Sequence, residues 1–175
     1  RDWSSDVCSS DLTGNVWDSD LLYAQVDRDF KNDPLGQEAK YRSARLDYFR
    51  GDFLWAQAQL DVLKSATSQL IANDALYLSL LISDNIGLDS TTDALMLYAR
   101  ADLLDYQNKY SDAMDVLDSL LLEFPDHSLV DDACFRMAEI KEKQRDWVAA
   151  DSLYAKVENM GEESVLADDA LFRRG

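Results

Sequence analysis

Asp131-Asp132-Ala133-Cys134-Phe135-Arg136-Met137-Ala138 returns 37 residues later as Asp168-Asp169-Ala170-Leu171-Phe172-Arg173-Arg174-Gly175. Self-similarity at such a period is the mark of stacked supersecondary units. Each unit buries its apolar face only against its neighbours, so an array of this kind presents a binding surface by default. Length alone, at 175 residues, fits one compact domain; the repeat overrides that expectation.

Apolar residues recur at helical spacing along the chain, and no period-2 alternation persists, so no strand is expected. The first helix is expected over 13–31, carrying Leu22, Tyr23, Val26 and Phe30, and ends at Asn32-Asp33-Pro34. Helices are then expected over 35–50 and, after the Gly51-Asp52 turn, from Asp52 to about Ala66. A linker over 67–71 leads to an apolar helix over 72–84, and 85–90 reads as a loop. Thr91 or Thr92 caps a helix reaching about Asn108, and Tyr110 to Phe124 stops at Pro125. Ser128 is the expected N-cap of a helix to Lys143, with Asp131 in its first turn. A helix over 147–159 follows, Gly161 breaks it, and Ser164 starts the last one.

The copies align on a turn: Gly51-Asp52-Phe53-Leu54-Trp55-Ala56, Asn108-Lys109-Tyr110-Ser111-Asp112-Ala113 and Arg145-Asp146-Trp147-Val148-Ala149-Ala150. An aromatic stands three residues before an alanine each time. Twelve residues before that alanine lies another, Ala44, Ala101 or Ala138. Leu60, Leu117 and Tyr154 follow the second alanine by four, and Tyr41, Tyr98, Phe135 and Phe172 precede the first small position by three. Small residues let two antiparallel helices cross closely, and aromatics fill the gaps beside them.

This pattern resembles the tetratricopeptide repeat family over residues 13–175. The small–twelve–small spacing, the aromatic before the second small residue and Pro125 in one copy match it. Lys40, Leu97, Cys134 and Leu171 stand where the family has an early Trp. The resemblance implies an all-α, right-handed solenoid of antiparallel helix pairs. The longer period, Phe124-Pro125-Asp126-His127-Ser128 and the Asp-Ala-x-Phe-Arg helix start are similar to the periplasmic branch, which includes Tol–Pal-associated and outer-membrane-assembly lipoproteins. Asp74-Ala75-Leu76-Tyr77-Leu78-Ser79-Leu80 also reads as a first helix, but Ala101 follows too soon after it. A register break is therefore expected near 85–90.

Residues 1–12 resemble a translated sequencing adapter, an accretion to be set aside from fold reasoning. The expected array then starts and stops inside repeats. Setting the tail aside removes Cys8, leaving Cys134 as the only thiol, so no internal disulfide is possible. The formal charge of −17 argues against nucleic acid and against anionic lipid. It favours a basic partner. No run of about 18 apolar residues is present, so no membrane-inserting segment is expected.

Chemistry is sparse. His127 is the single histidine and lies in an acidic loop; Cys134 falls on a buried face. No nucleophile–base set, phosphate loop or paired-Cys site stands out, so no catalytic residue, cofactor or metal is expected. The acidic pairs Asp131-Asp132, Glu162-Glu163 and Asp168-Asp169 sit near helix starts, where the dipole favours carboxylates, and lack calcium-loop spacing. Arg42, Arg136 and Arg173 share one repeat position, either as a stripe for acidic ligands or as partners of neighbouring acids.

The resemblance places a concave partner-binding face on the first helix of each pair: Glu38, Tyr41, Arg45, Tyr48, Tyr98, Asp102, Asp105, Phe135, Glu139, Glu142 and Lys143. The Lys/Asn carboxylate clamp of chaperone-binding members is absent at these positions. Aromatics flanked by carboxylates suit a peptide with apolar and basic residues; filling space between helices is the competing role for the same aromatics. The expected function is a non-catalytic protein–protein scaffold or adaptor of a bacterial envelope complex, in the periplasm or at the outer membrane. A cytosolic adaptor and a substrate-recruiting module of a larger enzyme are the alternatives.

Overall fold

The computed structural model describes residues 16–31, 33–65, 68–86, 92–160, 164 and 166–175. Among these residues there are nine helices and no strand, so the fold is all-α. The 1–12 tail, the expected loop from Gly87 to Ser90, Thr91, Gly161 and the Glu162-Glu163 pair lie outside the described residues. The chain divides into two compact units, residues 1–90 and 91–175.

The first unit holds α1 (Val16–Asp29), α2 (Pro34–Arg50), α3 (Phe53–Leu63) and α4 (Gln69–Ile86). Asp33 caps α2 by accepting the Leu35 N–H at 3.1 Å. Pro34 opens that helix, where its missing N–H costs nothing. The α1–α2 corner is tight. A Cβ at Gly36 would lie 2.3 Å from the Phe30 carbonyl oxygen, so only glycine fits. Tyr23, Ala39 and Leu46 form the buried centre of this corner. Helix α2 then packs on α3, α3 on α4, and α4 also touches α2.

The second unit holds α5 (Asp93–Tyr106), α6 (Tyr110–Glu123), α7 (Leu129–Lys143), α8 (Trp147–Glu158) and α9 (Ala167–Arg174). Helix α5 pairs with α6 and α7 with α8; α6 packs on α7, α5 touches α7, and α9 packs on α8. Helix α4 thus holds the same place in the first unit that α7 holds in the second: against the preceding second helix, and in touch with the preceding first helix.

The three turns share one backbone. Gly51, Asn108 and Arg145 have φ of 84°, 59° and 62°. Each following N–H reaches five residues back: Asp52 to Asp47, Lys109 to Leu104 and Asp146 to Lys141, at 2.9, 2.8 and 2.9 Å. Each left-handed residue itself donates three back, to Tyr48, Asp105 and Glu142. This double bond pattern satisfies the last helical carbonyls and reverses the chain within two residues.

The small positions do what close helix crossing requires. Ala44, Ala101, Ala138, Ala56 and Ala113 have no exposed surface, and Ala150 has 3%. Leu60, Leu117 and Tyr154 are equally buried beside them. Five residues before the first small position stands another alanine in most copies, Ala39, Ala75, Ala133 and Ala170, all fully buried, whereas α5 carries Met96 there, 40% exposed.

Several expected boundaries move. Helix α4 takes in Gln69–Ile71 from the expected linker and runs on through Asn85, whose side-chain amide donates to the Leu81 carbonyl at 2.7 Å. Ser128 stands at the N-cap of α7 as expected, but its side chain makes no cap bond; His127 Nδ1 accepts the Leu129 N–H at 3.2 Å instead. Thr92 makes no side-chain cap bond either. The last helix starts at Ala167, after Ser164 has turned the chain by accepting the Leu166 N–H at 3.2 Å.

Candidate functional site

In the second unit the first helices α5, α7 and α9 carry a ladder of ion pairs. Arg136 on α7 sets Nε 2.9 Å from Asp102 on α5 and Nη1 2.8 Å from Glu139 on its own helix. Arg173 on α9 repeats the pattern one unit on. Its two guanidinium nitrogens lie 3.6 Å from Glu139 and 3.2 Å from Glu142, both on α7. In each case the arginine stands two residues before the small position and the acid one residue after it in the preceding pair. Lys143 closes the last turn of α7 on Asp105, with 2.8 and 2.6 Å contacts to its two oxygens. Two of the three arginines of the expected stripe therefore pair with acids of the neighbouring first helix. The third, Arg42, pairs with Glu38 of its own helix at 2.6 Å.

In the first unit the guanidinium of Arg45 lies 6.0 Å from the Tyr41 ring centre and 5.3 Å from that of Phe49. Contacts of this kind attract a planar cation to the faces of aromatic rings. Tyr41 and Arg45 are half-buried, so their outer edges face solvent. A second polar cluster ties α1, α2 and α3 together. Asp47 is 3% exposed, pairs with Arg50, and accepts from Gln59 at 2.5 Å. Asp20 accepts from Ser43 at 2.8 Å and pairs with Arg50 at 3.4 Å.

Not every residue expected on the partner-binding face is available to a partner. Tyr48 and Tyr98 are each 1% exposed and belong to the helix-pair cores, which corrects their assignment as surface anchors. Tyr48 packs on Phe49 and Phe53 at ring distances of 5.6 and 5.8 Å, in tilted contact. Asp105 is buried under Lys143. Asp102, Phe135, Glu139 and Glu142 are half-buried, and Lys143 is exposed.

Phe135 meets the Tyr154 ring edge-on at 5.2 Å. Tyr154 is 1% exposed and its hydroxyl lies beside Glu142. Burial first, and then the nearby Glu142 charge, pushes its phenol above the usual range. Sequence spacing places Tyr154 with Leu60 and Leu117 as a packing residue, and all three are buried.

The residues weighed for chemistry have structural work. Cys134 is fully buried, and burial raises its thiol pKa away from thiolate reactivity. His127 meets the Phe124 ring at 6.2 Å besides accepting from Leu129. Asp131 accepts the Ser164 hydroxyl at 2.7 Å, so this member of an acidic pair anchors the approach to α9. Among the described residues no group of three or more His, Cys, Asp or Glu is placed to hold a metal ion.

The aromatic position also separates by surroundings. Tyr41 and Phe135 are half-buried, and their helices are followed by a packed second helix. Tyr77 on α4 and Phe172 on α9 are 49% and 84% exposed. Comparison with known proteins finds no matching family model, no matching curated protein and no matching solved structure.

Proposed function

We propose that the protein is a tetratricopeptide-type interaction scaffold with no chemistry of its own, serving as an adaptor in a bacterial envelope complex. The observation that carries this reading is the identical left-handed turn at Gly51, Asn108 and Arg145, each joining helices with fully buried alanines at matching positions. Such units stack into extended faces, and extended faces bind other chains. Each unit offers its own surface, lined by half-buried Tyr41 and Arg45 in the first and by Phe135, Glu139 and Glu142 in the second. Its fitting ligand is a peptide with apolar anchors and basic residues. The net charge of −17 steers such a peptide in and repels nucleic acid. No helix among the described residues is long and apolar enough to cross a membrane.

Selection of random dodecapeptides on the immobilised protein at physiological salt tests the reading. Enrichment of peptides that pair Lys or Arg with apolar residues supports it. No enrichment over a bare surface overturns it. The compartment is tested separately, by reading the source gene upstream of Thr13. A lipoprotein signal there supports the envelope assignment, and its absence from the gene moves the adaptor to the cytosol.

A further inference from the structure

Helix α4 is apolar on two opposite sides. Ala75, Leu78 and Ile82 lie on the packed side and are buried. Leu70, Leu76, Tyr77 and Leu80 lie at helical spacing on the other side, with exposures of 71%, 44%, 49% and 48%. A helix that is apolar all round is ordinarily covered all round. A contiguous apolar patch left on a surface marks a contact site.

The repeat register identifies what covers such a face. Ala75 on α4 matches Ala133 on α7, so Leu76 and Leu80 match Cys134 and Ala138. Cys134 and Ala138 are fully buried in one cluster with Ala150, Tyr154 and Val157 of α8. In the first unit α4 packs on α3 and touches α2. Among the described residues of that unit no later helix lies on α4 as α8 lies on α7. The outer face of α4 therefore has the place of a second-helix seat. Leu80 stands there instead of alanine, so a helix seated on it needs a small residue opposite.

Charge selects the occupant. From Ser65 to Ala99 the sequence contains no Lys or Arg, yet it carries Asp74, Asp84, Asp89 and Asp93. Asp74 and Asp84 flank the apolar stripe, about 15 Å apart along the helix. Asp84 accepts from its neighbour Ser83 at 3.3 Å, and no basic side chain among the described residues pairs with either aspartate. The nearest preceding cation, Lys64, is held by Asp61 at 2.7 Å. A second copy of the chain is disfavoured on the same ground, since each copy carries −17.

We propose that the outer face of α4 docks a basic amphipathic helix of a partner chain, laid antiparallel on it as α8 lies on α7. A small residue of that helix faces Leu80, apolar residues cover Leu76 and Tyr77, and Lys or Arg side chains reach Asp74 and Asp84. The surface goes beyond the peptide face of Tyr41 and Arg45. It is carried by a different helix, and it recognises its partner by helical periodicity.

The test uses the 175-residue protein with carbon-13-labelled leucine methyl groups and tyrosine rings, observed by NMR. The probe is acetyl-Lys-Ala-Leu-Gln-Lys-Leu-Leu-Gln-Lys-Ala-Ala-Lys-Gln-Leu-Ala-Lys-amide, whose leucines share one helical face with a central alanine. The control peptide has the same residues in an order that spreads the leucines around the helix, so attraction by charge alone is matched. The ordered peptide is expected to shift Leu76 and Leu80 saturably and to bind at least about tenfold more tightly than the control. Leu76→Gln with Leu80→Gln, at positions already in water, should weaken it about tenfold. Asp74→Asn with Asp84→Asn should weaken it about threefold. Equal binding of the two peptides, or no saturable shift at Leu76 and Leu80, overturns the docking face. Shifts that fall on Tyr41 and spare Leu76 and Leu80 leave the scaffold reading in place and remove the α4 seat. Shielding of the Leu76 and Leu80 methyls from a soluble paramagnetic probe in the peptide-free protein would mean that the face is already covered. That result overturns the proposal too, whether the cover is this chain or, if shielding grows with concentration, a second copy.

Discussion

Arg136 sets its Nε 2.9 Å from Asp102 Oδ1, linking two first helices across 34 residues of sequence. Arg173 and Glu139 repeat the relation at the same separation and at a looser 3.6 Å. The first pair is the more enclosed, with side-chain exposures of 22% and 14% against 46% and 22%. A double-mutant cycle with Arg136→Met and Asp102→Asn should therefore give a coupling of about 1 kcal/mol. The Arg173–Glu139 cycle should give less than about half of that, since exposed pairs are screened. Urea unfolding at low and high salt reads both, and a larger coupling for the Arg173 pair would reverse the assignment.

Gly36 is expected to be the least replaceable glycine in the first unit. Its would-be Cβ meets backbone, the Phe30 carbonyl, at 2.3 Å, and backbone cannot rotate away as a side chain would. Gly36→Ala should cost about 2 kcal/mol or more, although alanine is the better helix former. Thermal unfolding that is unchanged or improved would exclude so close an approach of Gly36 to the Phe30 carbonyl.

The turn residues give paired, opposite outcomes. Arg145 carries a Cβ at φ 62°, which disfavours any L side chain, whereas Gly51 at φ 84° bears no such strain. Arg145→Gly should stabilise by about 0.5–1 kcal/mol after the added freedom of the unfolded chain is counted. Gly51→Ala should destabilise by about 1–2 kcal/mol. Chemical denaturation of both variants checks the signs, and like signs would exclude a shared turn.

Alkaline stability should depend on Tyr154. Burial and the Glu142 charge raise its phenol pKa in the folded protein above the usual value of about 10. Between those values the unfolded chain has lost the proton and the folded chain keeps it. The unfolded state then binds fewer protons, so stability falls as pH rises. The contribution is complete below about pH 10 and is lost progressively above it. Tyr154→Phe should flatten that decline relative to the parent when unfolding free energy is measured from about pH 9 to about pH 11.5. Cys134, also raised by burial, is common to both proteins and cancels in the difference.

Residue order alone located the helices and their turns to within a few residues, because the forces that make them are local. The bonds that close each turn span three and five residues. The alanines at fixed spacing dictate where helices cross. What the tertiary structure decided is which members of a repeat position meet solvent and which meet each other. Tyr98 and Phe135 are equivalent by spacing, yet one is 1% exposed and the other half-buried against the bulky Tyr154 ring. Tyr48 and Glu142 share a position too, one in the core and the other in an ion pair. Arg136 and Arg173 read from the acidic surroundings as partners of neighbouring acids rather than as a ligand stripe, but only α5, α7 and α9 show which acids, 34 residues away, they reach. Exposure and long-range charge pairing depend on what a neighbouring helix places opposite a side chain, and no local periodicity contains that information.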